Sequence, residues 1–168
     1  MRVLGIDCGT EYTGYGIVEI TGKSDLRCVH FGAIKLIKTF NSGERLQQVH
    51  HELTSQIAAH LPDQVAIEEV FYSVNPKSAL KLGQVRGVAM LTAAQAGLPI
   101  AEYSPLSIKS SVVGYGRASK EQVQYMITKL LKLDTAPTPF DACDALAIAI
   151  CHLHTSATLL RQSAGAAR

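Results

Sequence analysis

Residues 1–20 read MRVLGIDCGTEYTGYGIVEI, and the fold turns on how Met1–Asp7 and Thr13–Ile20 are understood. Val3 to Asp7 is an apolar run of strand length that ends on a carboxylate, and Cys8-Gly9-Thr10 then supplies a tight turn. Thr13 to Ile20 follows as a second strand and Leu26 to Ile34 as a third, with Thr21–Asp25 as the turn between them, giving an antiparallel meander. From Ser42 the period changes. Leu46, Val49, Leu53, Ile57 and Leu61 recur at helical spacing until Pro62-Asp63 stops them. Val65 to Phe71 is a fourth strand. Asn75-Pro76 caps a helix reaching about Ala96, and Ile100 to Tyr103 is a short fifth strand. A brief helix starts at Pro105 and ends near Val113. Ser119-Lys-Glu-Gln122 has the form of a capping box for a helix running through Leu133. The last helix follows Pro137-Thr-Pro139 and ends near His154. Three strands followed by alternating helices and strands predict an α/β fold, a mixed five-stranded sheet with helices on both faces.

At 168 residues the chain is expected to form one domain, residues 1–154, with 155–168 as a flexible C-terminal tail. Hydrophobic residues make up 47% and charged residues 18%, a composition that excludes a disordered chain. No apolar run reaches the roughly 20 residues of a membrane span, and Asp7 and Glu11 break any signal-peptide core. A cytoplasmic location is the expectation. Cys8, Cys28, Cys143 and Cys151 lack CxxC spacing, so neither zinc nor disulfides are expected. Cys8 and Cys143 are expected to bring their thiols together beside the acids described next.

Acidic residues lie where apolar segments should hold none. Asp7 ends the first strand, Glu68 interrupts Val65–Phe71, and Asp141 and Asp144 open the apolar run Asp141–Ile150. Charge beside a core is costly unless paired or bound to a cation, and only Arg2 among the basic residues adjoins these segments. Asp141 and Asp144, three apart, share one helix face. Their place at the helix start would by itself be explained by the macrodipole, worth up to about 1 kcal/mol each; that account leaves Asp7 and Glu68 unexplained. Ala142, Ala145, Ala147 and Ala149 make the helix slim enough to approach a sheet closely. Glu68 and Glu69 point to opposite sides of their strand, and periodicity does not choose between them. Carboxylates gathered at strand and helix ends suit hard divalent ions such as Mg²⁺, which points to metal-assisted phosphoryl chemistry. Net charge is only +2, but setting these four aside from the 14 acidic residues leaves 10 against 16 basic ones. A basic surface around a metal-filled acidic cleft fits a polyanionic substrate.

Five segments in order carry a resemblance: Gly5-Ile-Asp-Cys-Gly9 with Thr13-Gly-Tyr-Gly16; Ala66-Ile-Glu-Glu-Val-Phe71; Ser78–Gly87; Val112-Val-Gly-Tyr-Gly116; and Asp141–Ala149. Across Met1–His154 the chain resembles the RuvC-type Holliday junction resolvases, which have a ribonuclease-H-like fold. Cys8 stands where the family commonly has proline, and neither it nor Cys143 removes an acidic ligand. The resemblance implies that Asp7, Glu68, Asp141 and Asp144 hold two Mg²⁺ ions, with Mn²⁺ able to substitute. It selects Glu68 over Glu69. It also implies paired symmetric nicks in four-way junction DNA, leaving 5′-phosphate and 3′-hydroxyl ends in recombination and repair. A homodimer, with the helix carrying Gly83 and Gly87 at its interface, and coupling to a RuvA–RuvB branch-migration complex follow from the same likeness.

The DNA contacts are expected from Phe71, Tyr72, Lys77, Lys81, Arg86, Lys109, Arg117 and Lys120. Consecutive aromatics beside a metal site can stack on or wedge between bases, and the resemblance makes Phe71 the wedge. Lys77 and Lys81 share a helix face. Lys120 sits in a helix's first turn, where a cation opposes the dipole and an anionic partner would offset the cost. By resemblance, Lys109 and Lys120 flank the scissile phosphate, with Arg117 assisting. The turn Asp7–Thr10 also resembles the phosphate loop of actin-like ATPases and sugar kinases, but 168 residues are too few for their two domains.

Overall fold

The computed structural model describes residues 1–22, 25–69 and 75–166, with side chains through residue 158. Five strands form one sheet: β1 (Arg2–Asp7), β2 (Tyr12–Thr21), β3 (Asp25–Lys35), β4 (Gln64–Glu68) and β5 (Ile100–Tyr103). Their order is β3-β2-β1-β4-β5. β1 pairs antiparallel with β2 and parallel with β4, and β5 continues parallel to β4. β1 is therefore central. Because β1 and β4 run the same way with Ile6 opposite Ile67, Asp7 and Glu68 come out at the same sheet end, one step further on. Ligand sites in such sheets form beyond the carboxyl ends of parallel strands.

Side-chain alternation along each strand divides the core between the two faces. Leu4, Ile6, Ile17, Val65 and Ile67 pack with Val49 and Leu53 of α1 (Ser42–His60) and with Val85, Ala89 and Ala93 of α2 (Pro76–Gln95). Val3, Val18 and Ala66 face the other way. They meet Ile108 and Val112 of α3 (Pro105–Val113), Val123 and Ile127 of α4 (Lys120–Leu130), and the buried face of α5 (Phe140–Ala166). Each fully buried Leu, Ile or Val contributes about 1.5–3 kcal/mol of transfer free energy. α5 crosses the sheet and touches all five strands.

The helix starts follow from local chemistry. Asn41 caps α1, accepting from the backbone N–H of Glu44 while the Glu44 carboxylate accepts from the Asn41 N–H. Ser119 and Gln122 do the same for α4, and Asn75 with Pro76 opens α2.

Three helix ends differ from the sequence expectation. Leu61 does not continue the apolar stripe of α1: it is the C-cap, left-handed at φ 48° and 73% exposed. α4 stops at Leu130, since Lys132 turns left-handed at φ 52°. α5 continues beyond His154 to Ala166. No glycine or proline interrupts Thr155–Ser163. The Thr155 and Thr158 hydroxyls donate to the carbonyls of Cys151 and His154, both at 2.9 Å, so these polar residues stay inside the helix. Among the described residues no helix is long and apolar enough to cross a membrane.

Candidate active site

Glycines in the sheet bring the last helix to the strand ends. A Cβ added to Gly5 would sit 2.1 Å from the Ala145 carbonyl oxygen, one on Gly14 only 1.9 Å from that of Asp141, and one on Gly16 2.7 Å from the Leu146 nitrogen. Backbone lies on backbone here. Asp7 pairs in register with Gly14, so the helix that rests on Gly14 also delivers Asp141 and Asp144 beside Asp7. The alanines of α5 give half of this fit and the strand glycines give the other half. Gly5, Gly14 and Gly16 recur at even intervals or across the β1–β2 pair, a signal that a sequence reading of the alanines alone passes over.

Alternation decides between the two adjacent glutamates. Ala66 faces α5, Val65 and Ile67 face α1 and α2, so Glu68 falls on the α5 side and Glu69 on the opposite one. Asp7, Glu68 and Asp144 line a cleft of about 300 Å³ together with Lys109 and Lys120. Asp141 stands next to it, its carboxylate 3.8 Å from where a Cβ on Gly9 would lie.

The charges in this cleft are strongly coupled. Burial, and then the carboxylates of Asp144, Glu68 and Asp141, push Asp7 up to about 8. Burial and Asp144 also raise Glu68, and burial raises Asp144, partly countered by Lys120. Lys120 Nζ lies 3.2 Å from Asp144 Oδ2 and is itself raised by that carboxylate. Among the described residues, no three His, Cys, Asp or Glu side chains close around one point as a ready-made metal cage. Carboxylates that repel one another spread apart, and here the Lys120 ammonium takes the cationic place against Asp144. Acid oxygens whose repulsion a single lysine relieves only in part are donors of the kind that hard divalent ions take. The set fits such ions.

The expected DNA contacts divide into groups. Lys109 donates to the Ala118 carbonyl at 2.8 Å from within the cleft. Lys120 and the exposed Arg117 stand on the segment that opens α4. Lys77 and Lys81 are exposed on α2. Arg86 is committed to the protein: it ion-pairs with Glu102 and donates from Nε to the Glu68 carbonyl at 3.3 Å. It braces the strand end that carries Glu68, and Glu102 went unnoticed in the sequence because β5 has only four residues. Phe71 and Tyr72 lie outside the described residues.

The cysteine expectation needs correction. Cys8 packs with the α1–α2 face and Cys143 with the α5 face, so the sheet separates them. Burial, then the neighbouring carboxylates, pushes each thiol up to about 12. All four cysteines are free.

Comparison with known proteins agrees with this fold. The family model described as crossover junction endodeoxyribonuclease RuvC matches residues 3–152. The chain belongs to the RuvC family. The protein of that name from Acidobacterium capsulatum is 61% identical over 168 residues, covering 96% of this chain and 98% of that protein. Its namesake from Koribacter versatilis is 58% identical over 166 residues, covering 99% and 100%. Among solved structures, T. thermophilus RuvC in complex with Holliday junction substrate superposes with a TM-score of 0.89 at 33% identity, covering 94% of this chain and 96% of that one. The yeast mitochondrial Holliday junction resolvase Ydc2 shares the fold, with a TM-score of 0.69 at 15% identity. RuvC proteins are metal-dependent nucleases, in keeping with the acidic cleft.

Proposed function

We propose that this protein is a structure-specific endonuclease that resolves four-way DNA junctions by paired symmetric nicks during homologous recombination and repair. The observation that carries this reading is the cleft itself. Two parallel strand ends and one helix bring Asp7, Glu68 and Asp144 together, with Asp141 adjoining, between Lys109 and Lys120. The 61% identical relative and the junction-bound T. thermophilus fold support the substrate class.

Asp7, Glu68, Asp141 and Asp144 would hold two Mg²⁺ ions, for which Mn²⁺ can substitute; four carboxylates balance four positive charges. When bound, these ions supply Lewis-acid polarisation of the scissile phosphate and a lowered pKa for the attacking water. Water adds to phosphorus as the 3′ oxygen leaves, which gives a 5′-phosphate and a 3′-hydroxyl. Lys109 and Lys120 hold the phosphate across the cleft, and Lys120 exchanges Asp144 for it. Arg117, Lys77 and Lys81 add backbone contacts, and Phe71 and Tyr72 contact bases at the junction centre. Arg86 keeps Glu68 in place through its carbonyl.

Two nicks of like polarity require two sites related by a twofold axis. The outward face of α2 suits a second copy of the chain. Leu80 and Leu91 are 70% and 55% exposed, and a Cβ on Gly83 or Gly87 would meet nothing within 4 Å. The homodimer would act in the cytoplasm on junctions delivered by a RuvA–RuvB branch-migration complex. Asp7→Asn tests the central claim. Incubated with Mg²⁺ and labelled four-way junction beside linear duplex, it should bind the junction and leave it intact; full nicking by this variant would end the metal-site reading.

A further inference from the structure

A second cleft, larger than the acidic one at about 480 Å³, opens on the other side of the turn that follows Asp7. Its cations are Lys35, Lys38 and Arg45, set against a single carboxylate, Glu11. We infer that this cleft is a phosphate-backbone site that holds a DNA arm of the junction beyond the point of nicking. The inference rests on the nuclease reading above and extends its substrate contact to residues outside the acidic site.

Three features point to a bound polyanion. First, positive charge is in excess, three cations to the one carboxylate of Glu11, and among the described residues none of Lys35, Lys38 and Arg45 takes part in an ion pair. Cations clustered without acidic partners repel one another, and an anionic ligand relieves that repulsion.

Second, the cleft is held in shape. Arg45 donates from Nε to the Phe40 carbonyl at 3.1 Å and from Nη2 to that of Lys38 at 2.6 Å. Gln48 accepts from the Ile37 N–H at 3.3 Å and donates to the Lys35 carbonyl at 3.0 Å. These neutral acceptors fix the segment from Lys35 to Phe40 onto α1 and leave the arginine charge intact. A floppy lysine loop would lose more entropy on binding than this braced one.

Third, the cleft adjoins the nuclease centre across one turn of chain. Thr10, Glu11 and Tyr12 form its wall, and the same turn places Gly9 against Asp141 on its inner side. A neighbouring hollow shares Thr10, Leu36 and Arg45 with it and is also lined by Lys81 and Gln84 of α2. Lys35, Lys38, Arg45 and Lys81 thus line two adjoining hollows that share Arg45. Contacts to phosphate fix register and orientation without reading sequence. That is the requirement for an enzyme that must hold splayed arms of any sequence.

The test is the salt dependence of junction binding. Lys35→Gln with Lys38→Gln, both exposed positions, should lower the slope of log affinity against log salt by about 1.8, at about 0.9 for each lost phosphate contact. Lys35→Arg with Lys38→Arg should restore it. Lys132→Gln, in the turn after α4 on the opposite face of the sheet, should leave it unchanged. Thermal melting of the double variant at the wild-type temperature shows that the fold is intact. A slope equal to wild type in the double Gln variant, while the wild type still nicks junctions, overturns the basic-cleft proposal and leaves the nuclease reading standing. A wild-type protein that neither prefers nor nicks four-way junctions overturns both.

Discussion

Lys120 is the residue in which the site's electrostatics are concentrated. It opens α4, where the helix dipole disfavours a cation, and its ammonium is drawn toward Asp144, with the Phe140 ring 5.9 Å away. Half-exposed pairs of this kind contribute little to folding, since water screens them. Its value lies in what it can exchange: a phosphate and two divalent ions would each take over one side of the pair. Charge-assisted hydrogen bonds are worth about 1.5–3 kcal/mol, so Lys120→Gln should slow nicking by about 10- to 100-fold at saturating junction. Single-turnover cleavage measures this, and melting temperature should hardly move. An unchanged rate would remove Lys120 from the site.

At the scale of elements, the decisive contact is α5 lying backbone-to-backbone on β1 and β2. Small residues on both partners permit it, Gly5, Gly14 and Gly16 below and Ala145 and Ala149 above. The approach sets where Asp141 and Asp144 stand relative to Asp7. Gly5→Ala would drive a methyl to 2.1 Å from the Ala145 carbonyl, which no rotamer relieves. Overpacking of this type costs about 1–3 kcal/mol or more, and a displacement of about 1 Å in an active site can cost 10²-fold in rate. The variant should therefore unfold at lower urea concentration and nick about 100-fold more slowly. Wild-type stability and rate together would show that α5 does not need this close seat. The same logic explains the α5 length: once seated, its later threonines bond back to their own helix and the chain has no local reason to leave it.

At the scale of the whole molecule, the sheet has one face covered by α3, α4 and α5 and the other by α1 and α2, while the outer side of α2 is left with Leu80, Gly83, Gly87 and Leu91 toward solvent. Two copies joined there would put two acidic clefts on one assembly. Gly87→Arg places a bulky charge in that face at an exposed position and should convert a dimer to a monomer in light scattering. Junction cleavage should then lose its pairing, with single nicks replacing simultaneous ones. A wild-type monomer at micromolar concentration would refute the arrangement.

What the sequence determined by itself is the set of features that short-range chemistry controls. The Asn75-Pro76 start, the Ser119–Gln122 box, the meander from Val3 to Ile34 and the misplaced carboxylates all follow from caps, periodicity and the cost of charge beside apolar neighbours. These need no knowledge of what packs where. The tertiary structure alone decided which face α5 covers, and with it that Cys8 and Cys143 lie on opposite sides of the sheet; for Glu68 over Glu69, which the family likeness had already selected, it supplied the physical reason. It alone decided that Lys120 reaches Asp144 and that Arg86 is held by Glu102. The reason is physical: alternation divides a strand's side chains into two sets, but only long-range packing determines which set meets a helix, and ion pairs between elements follow from that choice.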